Sequence, residues 1–232
     1  MRLPRNHQTV ARGGNGGGIG MTIVENEVDM VKAFESTRQR SERTFASARV
    51  FIEPFWPDAR HIEVQVLGMP DGRVIALGDR DCSVQRRHQK VVEEAPADHL
   101  NSRSRTEMAE AAIRVAESVQ YINAGTVEFL YDNTTGRYMF LEMNTRIQVE
   151  HAVTELVTGL DLVEHQLLIA MGASPLIDVD QSGHALELRI YAENPETFLP
   201  RPGRIDFMVV PTGPGVRVEN GKSHPATHTA KR

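Results

Sequence analysis

Polar and apolar residues alternate strictly through residues 61–66, and alternation of this kind is typical of a β-strand. One face of the predicted strand carries His61, Glu63 and Gln65, whereas the other face is wholly apolar. The turn signal Asp71-Gly72 follows, and a second apolar segment returns as the partner strand. The pattern predicts a β-hairpin whose two faces differ sharply in polarity.

Helical spacing and further short alternations fill most of the remaining chain. Val28, Val31 and Phe34 mark a polar helix over residues 27–40. Further strands are predicted over residues 21–25, 50–53, 126–131, 137–142 and 184–191, and further helices over residues 101–119 and 161–172. Because strands and helices mix without a strict β-α-β rhythm, the pattern predicts an α+β fold.

Two changes in composition divide the chain into three predicted segments. Prolines at positions 54 and 57 separate residues 1–55 from residues 56–218. Residues 219–232 contain no apolar residue larger than alanine, so we expect a disordered tail there.

Charge and composition exclude several classes of protein. The 232 residues carry a net charge of −5, which argues against a general nucleic-acid binder. No apolar run approaches the ~20 residues of a membrane span, so no membrane partner is expected. The single cysteine, Cys82, excludes an intrachain disulfide and an all-cysteine metal site, and it favours a reducing, cytoplasmic setting.

A glycine-rich run lies between Ala11 and Met21 and holds six of the 18 glycines. Backbone N–H groups in such a run can wrap a phosphate because no side chains block its approach. The same composition also suits a flexible linker, and the spacing alone does not decide between the two.

Glu128 and Glu142 lie on the two arms of the second predicted hairpin. With an even register the two carboxylates share one face and repel unless a cation lies between them. Oxygen ligands suit Mg²⁺ or Mn²⁺, and Asn144 adds a carbonyl oxygen. The alternative is a pair of solvated glutamates on an open sheet face.

The segment that follows is unusually polar if it continues as an extended strand. Glu142, Asn144, Arg146, Gln148 and Glu150 then share one face. An arginine in such a row can hold a small planar anion, and a glutamate can act as a general base.

A basic cluster occupies residues 80–90 and predicts an anion site, with an exposed charged loop as the alternative. Cys82 within it is expected only to pack against its neighbours. A zinc site from His61 and His88 lacks supporting ligand spacing.

Three long motifs, residues 60–66, 80–96 and 140–151, strongly resemble the biotin carboxylase family. The resemblance extends from about Ala11 to about Val218. It implies an ATP-grasp fold, here partial, in which residues 1–55 form a lid subdomain and residues 56–218 form the catalytic subdomain. It also implies that ATP activates bicarbonate to carboxyphosphate, and that the resulting CO₂ is transferred to biotin.

The resemblance implies a role for each matching residue. Gly17 and Gly18 would cover the ATP phosphates, and the adenine would be held between Glu53 and Trp56. Close to the nucleotide would lie His61, Gln85 and His88, and the divalent ions would be bound by Glu128, Glu142 and Asn144. Bicarbonate would be held by Lys90, Arg146 and Val149, with Glu150 as its base and the biotin enolate stabilised by Arg146 and Arg189.

The resemblance also implies partners outside the sequence. Biotin would arrive on a carboxyl carrier protein or domain, since no biotin-attachment motif is present. A separate carboxyltransferase would select the final acceptor, which the sequence leaves open, and a homodimer is one possible assembly.

Two positions depart from the family pattern. Ala11 lies where the family has a lysine that contacts ATP phosphates, and Pro54 replaces a usually basic residue beside the adenine. The family's preceding domain and C-terminal continuation are missing, so the sequence reads as truncated at both ends. We expect low or absent turnover from this polypeptide alone, because each charge-assisted contact contributes ~1.5–3 kcal/mol.

Two other interpretations stay open. One is a non-catalytic remnant or nucleotide-binding module. The other is a different ATP-grasp ligase, such as a relative of carbamoyl-phosphate synthase, against which residues 85–90 and 146–150 argue.

Overall fold

The computed structural model describes residues 9–13, 21–56, 58–204 and 208–220. Most of the glycine-rich run, with Gly17 and Gly18, and most of the predicted tail lie outside the described residues. The chain forms two compact units, residues 1–188 and 189–232. The predicted boundaries near residues 55 and 218 stay predictions.

The described helices and strands all belong to the first unit. The helices are α1 (Glu27–Phe45), α2 (Ser102–Ser118), α3 (His151–Thr158) and α4 (Leu162–Ala170). The strands are β1 (Thr9–Gly13), β2 (Met21–Val24), β3 (Val50–Pro54), β4 (Arg60–Gly68), β5 (Val74–Arg86), β6 (Gln89–Ala95), β7 (Asn123–Tyr131), β8 (Tyr138–Asn144) and β9 (Ala185–Leu188). The predicted α+β composition is confirmed.

A small antiparallel sheet, in the order β2-β1-β3, carries α1. The Asn26 side chain caps α1 by accepting a hydrogen bond from the Asp29 backbone N–H, which satisfies one of the free donors of the first turn. The helix buries the small residues Ala33, Thr37 and Ser41. Val28 and Val31, two of the apolar marks that predict this helix, are instead exposed.

The larger sheet is antiparallel throughout, in the order β8-β7-β4-β5-β6-β9. Helix α2 lies against β4 and β5, and it buries Met108, Ala112 and Ala116 in a core with Ile62 and Phe129. This is the apolar face that the alternation in β4 predicts. The polar face of β4 therefore points to the opposite side of the sheet, where α3 lies against β5 and β6.

The basic segment 80–90 forms two strands rather than the end of one. Strand β5 continues to Arg86, turns at Arg87 and His88, and returns as β6. Both turn residues have positive φ angles, 51° and 67°, which let the chain reverse tightly. The alternative of an exposed charged loop holds for Arg87 and His88 at the turn but fails for Arg80, which is fully buried.

The predicted extension of one polar strand face from Glu142 to Glu150 is wrong beyond Asn144. Strand β8 ends at Asn144, and α3 begins at His151 with Glu150 as its N-cap residue. The helix forms because Val153 and Val157, one turn apart, bury together against Ala95 and Ala185. The sequence pattern at 184–191 likewise overestimates β9, which ends at Leu188.

The second unit has little regular structure among its described residues. An isolated antiparallel bridge joins Glu193 to Pro200, and the Asn194 side chain accepts hydrogen bonds from the backbone N–H groups of Glu196 and Thr197. None of the described helices is long and apolar enough to cross a membrane.

The core between α2 and the sheet is expected to dominate the stability of the larger sheet. Met108→Ala leaves a cavity in a fully buried site and should lower the free energy of unfolding by about 2–5 kcal/mol in chemical denaturation. The matched control is Val119→Ala at the end of the same helix, where the side chain is 63% exposed. An equal loss in the two variants would contradict this packing.

Candidate active site

The polar face of the larger sheet carries one row of four charged side chains. Arg80 on β5 pairs with Glu63 on β4, Glu63 pairs with Glu128 on β7, and Glu128 pairs with Glu142 on β8. Residues directly opposite on neighbouring strands share a face, so three carboxylates lie side by side next to one guanidinium. The even register expected for Glu128 and Glu142 is therefore observed.

Arg80 anchors one end of this row and is fully buried. Its Nε donates to Glu63 Oε1 over 3.1 Å. The Nη1 atom donates to Gln65 Oε1 and Thr154 Oγ1, and the Nη2 atom donates to Thr126 Oγ1 and Gln148 Oε1. All five N–H groups of the guanidinium thus have an acceptor.

Lys90 on β6 reaches into the same row. Its Nζ lies 2.8 Å from Glu63 Oε2, 3.1 Å from Glu128 Oε1 and 2.6 Å from Glu150 Oε1. Burial lowers the pKa of this ammonium, but the carboxylates of Glu63, Glu128 and Glu150 outweigh burial and raise the pKa above its ordinary value. Lys90 is therefore a fixed positive charge that links the carboxylate row to the start of α3.

Glu63 and Glu128, the two strand carboxylates that contact Lys90, are held in their charged forms. Burial raises the pKa of Glu63, but the charges of Arg80 and Lys90 outweigh it and lower that pKa to about 2. Burial also raises the pKa of Glu128, but the adjacent His61 ring and the Lys90 ammonium outweigh burial and lower that pKa to about 2. Cys82 lies beneath this pair and donates to Glu63 Oε1 over 2.6 Å.

The sequence predicts that Cys82 only packs against its neighbours, but in the structure its thiol also donates a hydrogen bond. Burial and the adjacent Glu63 carboxylate raise the pKa of the thiol well above its ordinary value. The thiol thus stays protonated and serves as a hydrogen-bond donor to a carboxylate that already accepts from Arg80.

His61 and Gln85 form a second approach to Glu128. The Gln85 amide nitrogen donates to the Cys82 backbone carbonyl over 2.8 Å and lies 3.0 Å from His61 Nδ1. Since this amide donates to His61 Nδ1, the ring proton lies on Nε2, 3.0 Å from Glu128 Oε2. The structure therefore groups His61 with Glu63 and Glu128 rather than with His88, which is exposed at the β5–β6 turn.

The donor set around Glu128 and Glu142 fits a divalent cation. The two carboxylates are cross-strand partners, and Asn144 lies two residues beyond Glu142 with its amide nitrogen 2.9 Å from Glu128 Oε1. Carboxylate oxygens and an amide carbonyl are the ligands that Mg²⁺ and Mn²⁺ prefer. These residues are the ones that would hold the ion.

Arg146 and Val149 differ from the buried row because both side chains are exposed. The Arg146 guanidinium donates to the Ile147 carbonyl over 3.2 Å and to Asn144 Oδ1 over 3.4 Å. Glu150, by contrast, is buried at the N-terminus of α3. The segment between β8 and α3 thus places an exposed guanidinium next to the carboxylate row and a buried carboxylate against Lys90.

The remaining predicted site residues lie elsewhere. Glu53 is on β3, and Trp56 follows that strand with the Arg137 guanidinium carbon 5.7 Å from its ring centroid. Arg189 is the first residue of the second unit. The proposed contribution of these three residues to a common site stays a prediction.

Sequence reasoning missed two members of the buried row, Glu63 and Arg80. Both belong to patterns that the sequence does show, the polar face of β4 and the basic segment 80–90. The sequence does not show that α3 covers this face of the sheet, where Arg80 contacts Thr154 on that helix. Polar residues on a strand that is buried on both faces are the feature that could have identified Glu63 and Arg80.

The family model for the carbamoyl-phosphate synthase L chain, ATP-binding domain, matches residues 9–176. The match covers well over half of the chain and includes both sheets except for β9. The chain therefore belongs to this family, and the predicted ATP-grasp fold is confirmed.

Individual relatives agree with the predicted resemblance. The biotin carboxylase of Allochromatium vinosum is 50% identical over 210 residues, which span 89% of this chain and 46% of that protein. A solved complex of Campylobacter jejuni biotin carboxylase with β,γ-ATP has a TM-score of 0.85 and 43% identity, and it covers 89% of this chain and 47% of its own.

A second solved structure is a complex with nucleotides and bicarbonate. The biotin carboxylase domain dimer of Hydrogenobacter thermophilus 2-oxoglutarate carboxylase, in complex with MgADP, ADP and bicarbonate, has a TM-score of 0.87. It is 38% identical and covers 96% of this chain and 51% of its own. The chain thus resembles the biotin carboxylases, as predicted, and spans about half the length of the relatives it matches.

The depressed pKa values of Glu63 and Glu128 make stability depend on acid pH. Each folded-state pKa lies below the ordinary value of 4.5, so the stabilisation is complete above about pH 5 and is lost as pH falls towards 2. The loss should be about 2 kcal/mol per carboxylate when unfolding free energies are measured from pH 7 down to pH 3, because the rest of the stabilisation is lost only at lower pH.

Glu63→Gln isolates one of the two carboxylates. The variant should be less stable than the parent at pH 7, and the difference should narrow as the pH falls. Glu117→Gln, at an exposed position on α2, is the matched control and should follow the parent at every pH. A Glu63→Gln deficit that stays constant from pH 7 to pH 3 would show that the Glu63 carboxylate is not held charged by Arg80 and Lys90.

Proposed function

We propose that this chain contributes the site at which ATP activates bicarbonate for the carboxylation of biotin. One observation carries the proposal: Lys90 Nζ lies within 3.1 Å of three carboxylates. One of them is Glu128, the cross-strand partner of Glu142, and another is Glu150 at the start of α3. This arrangement supports a proposal in which a cation-binding pair, a fixed positive charge and a general base act side by side.

Glu128, Glu142 and Asn144 are proposed to hold Mg²⁺ or Mn²⁺. A bound ion neutralises and orients the phosphate oxygens of ATP, which supports transfer of the terminal phosphoryl group. The polar chain from Gln85 through His61 to Glu128 orients one of these ligands, because the hydrogen bond at Nδ1 leaves the Nε2 proton facing the carboxylate. We infer that His61, Gln85 and His88 lie beside the nucleotide, with Glu53 and Trp56 at the adenine and Gly17 and Gly18 over the phosphates.

Bicarbonate is proposed to bind between the exposed and the buried groups of the same segment. The Lys90 ammonium would attract the anion, the exposed Arg146 would donate hydrogen bonds to it, and Val149 lies between Arg146 and Glu150 in the sequence. The Glu150 carboxylate would take the proton of bicarbonate, and the resulting oxyanion would attack the terminal phosphorus of ATP. The bond from that phosphorus to the β–γ bridging oxygen would break, which gives carboxyphosphate and ADP. Glu150 suits this role because its contact with Lys90 Nζ, 2.6 Å away, holds the carboxylate next to the proposed anion site.

Carboxyl transfer to biotin is proposed to follow at the exposed edge of the site. Carboxyphosphate would release CO₂ and phosphate, and the phosphate would take the N1 proton of biotin. Arg146 would stabilise the resulting enolate, with Arg189 as a second cation, while N1 attacks CO₂. Biotin would be presented by a carboxyl carrier protein or domain, and a carboxyltransferase subunit would use the product. The homodimer, the cytoplasmic setting and the identity of the final acceptor belong to the same proposal.

A nucleotide-binding chain without turnover is the second candidate. The observation that favours it is Ala11 on β1, in the position where the family has a phosphate-binding lysine. Loss of one charge-assisted contact costs ~1.5–3 kcal/mol, which is about a tenfold to hundredfold reduction in rate if the contact acts only in the transition state.

Bicarbonate-dependent ATP hydrolysis with added free biotin separates these candidates. We expect slow ADP formation that requires bicarbonate and Mg²⁺ and that Arg146→Ala abolishes, because the exposed guanidinium is proposed to hold the anion. Arg114→Ala, at an exposed arginine paired with Glu110 on α2, is the matched control and should retain the parent rate.

Two results would count against the proposed reaction. ADP formation that does not depend on bicarbonate would contradict it, as would a rate that Arg146→Ala leaves intact. Nucleotide binding without any ADP formation would support the second candidate.

A further inference from the structure

We propose that Arg80 is a positioning residue, which fixes the orientations of Glu63 and Gln148 and ties α3 to the sheet. The inference rests on the proposed function, since these groups surround the proposed metal and bicarbonate positions. No role in the proposed reaction falls to Arg80 directly, because its guanidinium is fully buried and all its donors are occupied.

The acceptors of Arg80 come from separate parts of the fold. Glu63 and Gln65 are on β4, Thr126 is on β7, Gln148 precedes α3, and Thr154 is on that helix. The positions of the strand residues are already fixed by backbone pairing, whereas Gln148 and Thr154 lie outside the sheet. Arg80 therefore contributes most to the position of the segment that leads into α3.

Two short paths lead from Arg80 to the proposed site. In the first, Glu63 accepts from Arg80 through Oε1 and from Lys90 through Oε2. In the second, Gln148 accepts from Arg80 through Oε1, which turns its amide nitrogen towards Glu128 Oε1 at 3.1 Å. Both paths end at groups that contact each other, since Lys90 also donates to Glu128.

A third contact bears on the proposed base. Thr154 accepts from Arg80 Nη1 over 2.9 Å on the first turns of α3, and Glu150 is the N-cap residue of that helix. Movement of the helix start would move the Glu150 carboxylate away from Lys90. Arg80 thus acts on the metal side and on the base side of the site at once.

Lysine cannot reproduce this arrangement. An ammonium is a single point with three donors, whereas the guanidinium spreads five donors over a planar fork. Arg80→Lys keeps the positive charge next to Glu63 but cannot reach Gln148 and Thr154 at the same time. The substitution therefore separates charge compensation from positioning.

Mn²⁺ affinity in the presence of saturating ADP, measured from the electron paramagnetic resonance signal of free Mn²⁺, provides a test without turnover. Arg80→Lys is expected to weaken Mn²⁺ binding about tenfold, as is typical when the support of a metal ligand is removed. Glu142→Gln is the reference variant that reports loss of a proposed ligand. Measurements well below each melting temperature keep unfolding out of the comparison.

A matched pair of threonine variants covers the case in which Arg80→Lys does not fold. Thr154→Val and Thr126→Val each remove one acceptor of Arg80, the first on α3 and the second on β7, where backbone pairing holds the strand. In bicarbonate-dependent ATP hydrolysis, Thr154→Val should lower kcat with KM for ATP unchanged, and Thr126→Val should match the parent. If the unsubstituted chain has no measurable turnover, hydrogen exchange is measured instead. The α3 backbone amides should then exchange faster in Thr154→Val than in the parent, and Thr126→Val should match the parent.

The outcomes separate this inference from the proposed function. Weaker Mn²⁺ binding in Glu142→Gln, with parent affinity in Arg80→Lys, would overturn the positioning role and leave the metal site intact. Equal effects of Thr154→Val and Thr126→Val would also overturn it, because a merely structural role makes no distinction between them. Mn²⁺ binding that Glu142→Gln does not change would contradict the metal site itself and the inference with it.

Discussion

Charge compensation on one buried sheet face is the interaction on which the rest of the structure depends. Removing a carboxylate from water costs several kcal/mol unless cations and hydrogen bonds replace the lost solvation. Glu63 and Glu128 receive both, from Arg80, Lys90, Gln148 and His61. The long β5–β6 hairpin carries both cations, Arg80 and Lys90, to the centre of the sheet.

One face of the larger sheet contributes the apolar core, and the other face carries the candidate active site. The face under α2 is apolar and closely packed, so it fixes the registers of β4 and β7. Those registers place Glu63, Glu128 and Glu142 in one row on the opposite face. Like charges this close are costly, and the structure offsets that cost with fixed cations rather than by protonating the carboxylates. In the proposed function, a divalent cation would join this row at Glu128 and Glu142.

The side chains of the candidate site differ in their exposure to solvent. Glu150 is buried against Lys90, whereas Arg146 and Val149, a few residues earlier, are exposed. Substrates would therefore meet the guanidinium first and the base last. This difference in exposure supports the proposed order of anion binding followed by proton removal.

The sequence could predict the α+β class, the hairpins and the shared face of Glu128 and Glu142, because period-two alternation and turn residues are local signals. It could not predict that α3 replaces an extended strand after Asn144, since the polar residues at 146, 148 and 150 mimic strand alternation. The same helix buries Arg80, so a residue that reads as part of a solvated basic run forms the best-satisfied cation of the site. Contacts between segments that are distant in the sequence cannot be predicted from the local spacing of polar and apolar residues.

The central claim is that a bicarbonate oxygen attacks ATP at this site, and isotope transfer tests it most directly. Bicarbonate labelled with ¹⁸O is incubated with ATP, Mg²⁺ and the chain, and the inorganic phosphate is analysed by mass spectrometry before the label exchanges with water. The account predicts phosphate that carries one oxygen from bicarbonate, because the new phosphorus–oxygen bond survives when carboxyphosphate releases CO₂. Phosphate that carries oxygen only from water and ATP would contradict it.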